Sequence, residues 1–148
     1  MPALTAQRVT EPAMPVSLTE TVAVRERCKD HLVQVMESTP SIGFACVGTA
    51  DGRMFAANHR STDPRRTAAM ASSLLALSES FSKEAMQSRC AYSLIVGEHG
   101  AIVIVRIPSK RNHYVLAVGA DTSETIALTL RKALDTSTQV ASILDSAQ

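Results

Sequence analysis

IGFACVGTADGRMFAANHRSTDPRRTAAMASSLLAL, from Ile42 to Leu77, is the stretch that decides the fold. Asp51-Gly52 makes its first break, because glycine accepts the positive φ that a tight hairpin demands. Ile42 to Gly48 therefore reads as one strand through Ile42, Phe44, Cys46 and Val47, with Arg53 to Asn58 returning beside it. The next punctuation, Ser61-Thr62-Asp63-Pro64-Arg65-Arg66, joins helix-capping side chains, Ser61 among them, to a proline that the first helical position tolerates. A helix from Arg66 to Ser88 follows. Met70, Leu74, Leu77, Phe81 and Ala85 describe one face of it, and Ala68, Ala69, Ala71, Leu75 and Ala76 widen that face. Small residues let another backbone approach closely, so this helix has room for a sheet on one side and a second subunit on the other.

Upstream, Val24, Cys28, Leu32, Val35 and Met36 recur at three- and four-residue steps, with Arg25, Glu26, Lys29 and Asp30 on the polar side. Thr19 or Thr21 offers a cap to this first helix, and Pro40 stops it. Residues 1–18 carry Pro2, Pro12 and Pro15 and no apolar period, and read as a flexible arm ahead of a domain spanning 19–148. Downstream, Ala91 to Gly97, Ala101 to Ile107 and His113 to Gly119 read as three more strands, turned at Glu98-His99-Gly100 and Ser109-Lys110-Arg111-Asn112. Asp121 and Glu124 have the spacing of a capping box for a last helix through Ile126, Leu130, Ala133, Leu134, Ala141 and Leu144. The order α-β-β-α-β-β-β-α with tight antiparallel connections gives an α/β fold with one five-stranded sheet. Its helices cannot all be crossovers of a doubly wound fold.

The length of 148 residues and an apolar fraction of 45% suit one domain with one core. A formal charge of +1 gives no global field to hold a phosphate backbone or an anionic membrane. The most apolar stretch, Cys90 to Pro108, is cut by Glu98, His99, Gly100 and Arg106, whereas a span needs about 20 mostly apolar residues. Direct membrane insertion is not expected. The first residues lack a basic start followed by an apolar run, so the expected location is cytoplasmic. Cys28, Cys46 and Cys90 sit singly in apolar patterns and read as buried free thiols.

No constellation of catalytic groups appears. A phosphate cradle needs a glycine-rich turn ending in Lys followed by Ser or Thr, and Gly43, Gly48, Gly52, Gly97, Gly100 and Gly119 are dispersed instead. His31, His59, His99 and His113 have no His or Cys at zinc-site spacing. Ser61, Ser72, Ser73 and Ser93 lack the Gly-x-Ser-x-Gly context of an exposed nucleophile. Asp30 with Glu37, and Asp121 with Glu124, read as solvated or capping carboxylates. Neither a cofactor, a metal nor catalysis by the chain itself is expected. Arg53, Arg60, Arg65 and Arg66, with His59, form the densest basic region, but only Phe55 is interleaved, which does not suit nucleic-acid binding. These arginines either contact an acidic protein partner or simply solvate the hairpin and helix start.

The chain resembles the Roadblock/LC7 family, including its bacterial MglB-like branch, from about Glu20 to Leu144. The resemblance lies in Ser41-Ile42-Gly43-Phe44-Ala45-Cys46-Val47 with its Thr49-Ala50-Asp51-Gly52 turn and in the helix run Ala68-Ala69-Met70-Ala71-Ser72-Ser73-Leu74-Leu75-Ala76-Leu77. Ser93-Leu94-Ile95-Val96-Gly97-Glu98-His99-Gly100 and Tyr114-Val115-Leu116-Ala117-Val118 continue it. The long arm and Arg65-Arg66 depart from it. The resemblance implies a dimer in which central helices and an edge strand meet. It also implies a regulator of a small Ras-like or MglA-like GTPase, or alternatively an adaptor in a motor, signalling or membrane-associated complex that leaves GTP hydrolysis unchanged. The expected partners are a second copy and a small GTPase or other signalling protein. From the residues, an apolar edge strand invites association unless it is covered. Leu74, Leu94 and Ile104 are the interface candidates, and periodicity alone does not separate interface from protomer core.

Overall fold

The computed structural model describes residues 18–111 and 113–146, with side chains from residue 21 onward. Of the expected arm over residues 1–18, residues 1–17 lie outside the described residues and Leu18 opens the first helix. Elements follow as α1 (Leu18–Ser38), β1 (Ile42–Thr49), β2 (Met54–His59), α2 (Pro64–Met86), β3 (Ser93–Gly97), β4 (Gly100–Arg106), β5 (Tyr114–Asp121) and α3 (Ile126–Asp145). The five strands form one antiparallel sheet in the order β2-β1-β5-β4-β3. The last strand thus sits at the centre, and α2 carries the chain between the two sheet edges.

Local chemistry places the boundaries. Gly52 adopts φ 91° at the β1–β2 turn, a value that strains any residue with a Cβ. The Asp63 carboxylate accepts the Arg65 N–H at 3.1 Å and Pro64 opens α2, so Asp63 rather than the exposed Ser61 is the cap. Thr19 and Thr21 both fall inside α1 rather than ahead of it. The start of α3 corrects the capping-box reading as well. Thr125 is the cap, its Oγ1 accepting the Leu128 N–H at 3.2 Å, while Asp121 accepts the Ser123 N–H at 2.9 Å in the preceding turn.

Helices α1 and α3 cover one face of the sheet. Val24, Cys28, Leu32 and Met36 of α1 meet Ala45, Val47, Val103, Leu116 and Val118 of the sheet, with Ala133, Val140 and Leu144 of α3 in the same core. Buried Thr129 and Thr136 on α3 satisfy their hydroxyls on the Thr125 and Lys132 carbonyls. Among the described residues helix α2 lies alone on the other face, where Ala71 and Leu75 pack on Ile104, Val115 and Ala117. Close approach is visible in two bonds: Ser72 Oγ to the Thr49 carbonyl at 2.7 Å and Cys46 Sγ to the Pro64 carbonyl at 3.7 Å. Burial pushes the Cys28 thiol up to about 11 and the Cys46 thiol to about 12. Cys90 departs from the expectation and is half-buried.

Candidate interaction surface

The large apolar residues of α2 do not face its sheet. Ala68, Ala71, Ser72, Leu75 and Ser82 form the buried stripe, whereas Met70, Leu77 and Phe81 are 65%, 67% and 70% exposed. At 100° per residue, Met70, Leu74, Leu77 and Phe81 fall within an arc of about 60°, well round from that stripe. Leu74 is half-buried at the edge of the arc and joins the α2-side core beside Phe44 and Ile102. The small residues are small because they sit against the sheet, and the large ones belong to a separate surface.

That surface continues onto the part of the sheet that α2 leaves open. Phe44, Ile95, Ile102, Gly43 and Gly119 line a groove of about 480 Å³, together with Ser41 and Arg60. The Phe44 ring lies directly on Gly119, where an added Cβ would stand 2.1 Å from its Cε1. His59 stacks on the same ring at a centroid distance of 5.1 Å and shares a hydrogen bond with the Thr62 hydroxyl through Nδ1. Burial holds the His59 pKa below its ordinary value, and its Nε2 is buried without a partner. Beyond the groove lies β3, an edge strand whose Ser-Leu-Ile-Val-Gly sequence contains neither proline nor charge to blunt it.

The interface candidates separate on burial. Leu74 borders the exposed arc, and Leu94 is 39% exposed on β3. Ile104 does not qualify: it is 2% exposed and packed in its own protomer with Ala71 and Leu75. The basic candidates do not meet at one point. Arg53 pairs with Asp51 at 3.0 Å beside the hairpin turn, while Arg60 donates to the Pro40 carbonyl at 3.0 Å. They flank the two ends of the six-residue β2, about 20 Å apart. Arg65 and Arg66 stand exposed on the first turn of α2, which carries no acidic residue.

Among the described residues no group of three or more His, Cys, Asp or Glu is placed to hold a metal ion, and no helix is long and apolar enough to cross a membrane. Ser72 spends its hydroxyl on the Thr49 carbonyl, and Ser73 is exposed on α2. What stands out chemically is exposed apolar surface, and reading α2 as one broadened face concealed it. The usable signal was two apolar periods on one helix, one of small residues and one of large.

One antiparallel sheet with a single helix on one face and two on the other defines a small three-layer α/β domain. The chain belongs to the Roadblock/LC7 domain family, whose model matches residues 29–120. An MglB solved in a tetrameric arrangement superposes with a TM-score of 0.73 at 16% identity, covering 85% of this chain and 93% of that one. The gliding protein MglB from Thermus thermophilus gives 0.72 at 16% identity, covering 84% and 93%. MglB of Myxococcus xanthus gives 0.70 at 11% identity, covering 81% and 96%. Identities this low establish a shared fold and nothing finer. None of the curated proteins compared with the sequence matches it.

Proposed function

We propose that the chain is a cytoplasmic, non-enzymatic homodimer that regulates a small Ras-like or MglA-like GTPase by protein–protein binding. The observation that carries this reading is the exposed strip of Met70, Leu77 and Phe81 on α2, in a chain that also leaves the β3 edge open. Exposed apolar surface of this kind marks an association site. A two-fold axis normal to the sheet sets β3 antiparallel to its copy and keeps both α2 helices on one face. Fully covering Met70, Leu77 and Phe81 contributes about 1.5–3 kcal/mol for each side chain. Taken over two copies, that is of the size needed to offset the roughly 4–15 kcal/mol cost of association.

The GTPase half of the reading is supported by family membership and by the MglB likeness. The nucleotide and its phosphate-binding loop then belong to the partner, since the sequence holds no Gly-rich turn ending in Lys-Ser or Lys-Thr. Arg65 and Arg66 are the proposed contacts to an acidic patch on it, with Arg53 and Arg60 flanking. The deciding experiment captures partners with the full chain, then measures the captured GTPase's hydrolysis with and without it. A changed rate supports regulation. Capture with an unchanged rate makes the protein an adaptor, and failure to capture any GTPase overturns the GTPase reading.

A further inference from the structure

The α2 strip assigned to the second copy lies on one side of the sheet only. In an antiparallel pair, directly opposite residues point to the same side. Ile95 lies opposite Ile102, in the α2-side layer, whereas Leu94 and Val96 lie opposite Val103 and Ala101. Val103 belongs to the core beneath α1 and α3, so Leu94 and Val96 face that side. Among the described residues no helix hides them: Val96 is 59% exposed, and Ile126, at the start of α3, is 43% exposed. Between them runs a groove of about 270 Å³, with Ala101 and Thr129 as its inner wall.

The groove is acidic. Asp121 and Glu124 line it, and none of its lining residues is Lys, Arg or His. Hydrogen bonds from the Ser123 hydroxyl and N–H keep the Asp121 carboxyl below its ordinary value, with Arg60 a smaller contribution. The start of α3 supplies about half a positive charge, less than the two carboxylates carry. A second copy has the same charges and is a poor electrostatic match.

We propose that this groove docks a basic amphipathic helix of a partner protein, with an apolar side chain seated between Val96 and Ile126 and a Lys or Arg beside Asp121 and Glu124. The site belongs to the single chain and does not depend on the GTPase reading. In the proposed dimer two copies of it flank the joined β3 strands on the face opposite α2, so one dimer holds two such helices.

The test titrates the full chain with a fluorescein-labelled helix carrying leucine on one face and lysine on the other, and with a twin bearing glutamate in place of each lysine. The lysine helix binds and the glutamate twin binds at least about tenfold more weakly. Glu124→Lys and Ile126→Glu each weaken the lysine helix by about tenfold, while light-scattering mass and circular dichroism stay those of the parent. Val96→Glu gives the same loss from the strand side of the groove, read on binding alone because Val96 lies on β3, and stands in should Ile126→Glu misfold. Equal binding of the two helices, or undiminished binding by the folded variants, overturns the proposal. So does a fall in mass with Ile126→Glu, which would make the groove a self-interface.

Discussion

Arg106 grips Glu79 with two hydrogen bonds, Nε to Oε2 at 2.8 Å and Nη2 to Oε1 at 2.5 Å, and so ties the middle of α2 to the end of β4. The pair is partly exposed, so it contributes less than a buried ion pair and more than a fully solvated one. The hydrogen bonds to Arg106 hold the Glu79 carboxyl below its ordinary value.

Glu79→Gln is expected to cost about 1 kcal/mol at neutral pH. Because the folded pKa of Glu79 is depressed, its contribution is fully present above the unfolded value of about 4.3 and is lost as pH falls through the folded value. Urea midpoints of parent and variant should therefore differ near neutrality and converge in acid. A difference that persists there would show that the variant acts through packing rather than charge.

His59 works in the opposite chemical sense. Its folded pKa is lowered chiefly by burial, so the unfolded chain takes up the proton first, and stability declines as pH falls through about 6.5. The decline levels off below the folded value. His59→Gln should flatten this segment of the stability curve relative to the parent, read as urea midpoints at about pH 7.5 and about pH 5.5. An unaltered slope would assign the loss to another group.

The cysteines should separate by reactivity. Cys28 and Cys46 are buried and their thiols raised to about 11 and about 12, whereas Cys90 is half-buried, its Sγ 3.3 Å from the Tyr92 carbonyl. Titration of the native protein with a chromogenic disulfide should release one equivalent promptly, from Cys90, and the others only on unfolding. Prompt release of all three would contradict the packing of α1 and β1.

Much of the fold was legible because its boundaries rest on local chemistry. Gly52 in its turn, Pro40 after α1 and Asp63-Pro64 before α2 act within a few residues of sequence. Sheet order was not legible: inserting β5 between β1 and β4 is a long-range choice that no local pattern encodes. Which side of α2 meets the sheet was not legible, because Ala68, Ala71 and Ser72 are buried for closeness rather than hydrophobic size, while Phe81 and Leu77 are large and exposed. In α3, Thr129, Thr136 and Ser137 went unrecognised as core because local hydrogen bonding hides the polarity of the two threonines. Ile104 shows the limit for the interface: it and Leu94 sit in similar apolar runs, and only the strand order makes one core and the other edge.

The measurement that bears most directly on the account is light scattering coupled to gel filtration for the parent and for Phe81→Glu, with circular dichroism on both. Phe81 is exposed on the chain, so the charge should leave the protomer folded while burying a carboxylate in the dimer. The parent should run at about twice the 15.8 kDa chain mass and the folded variant at a single chain mass. A parent that stays at one chain mass across a wide concentration range, or a folded Phe81→Glu that keeps the doubled mass, would contradict it.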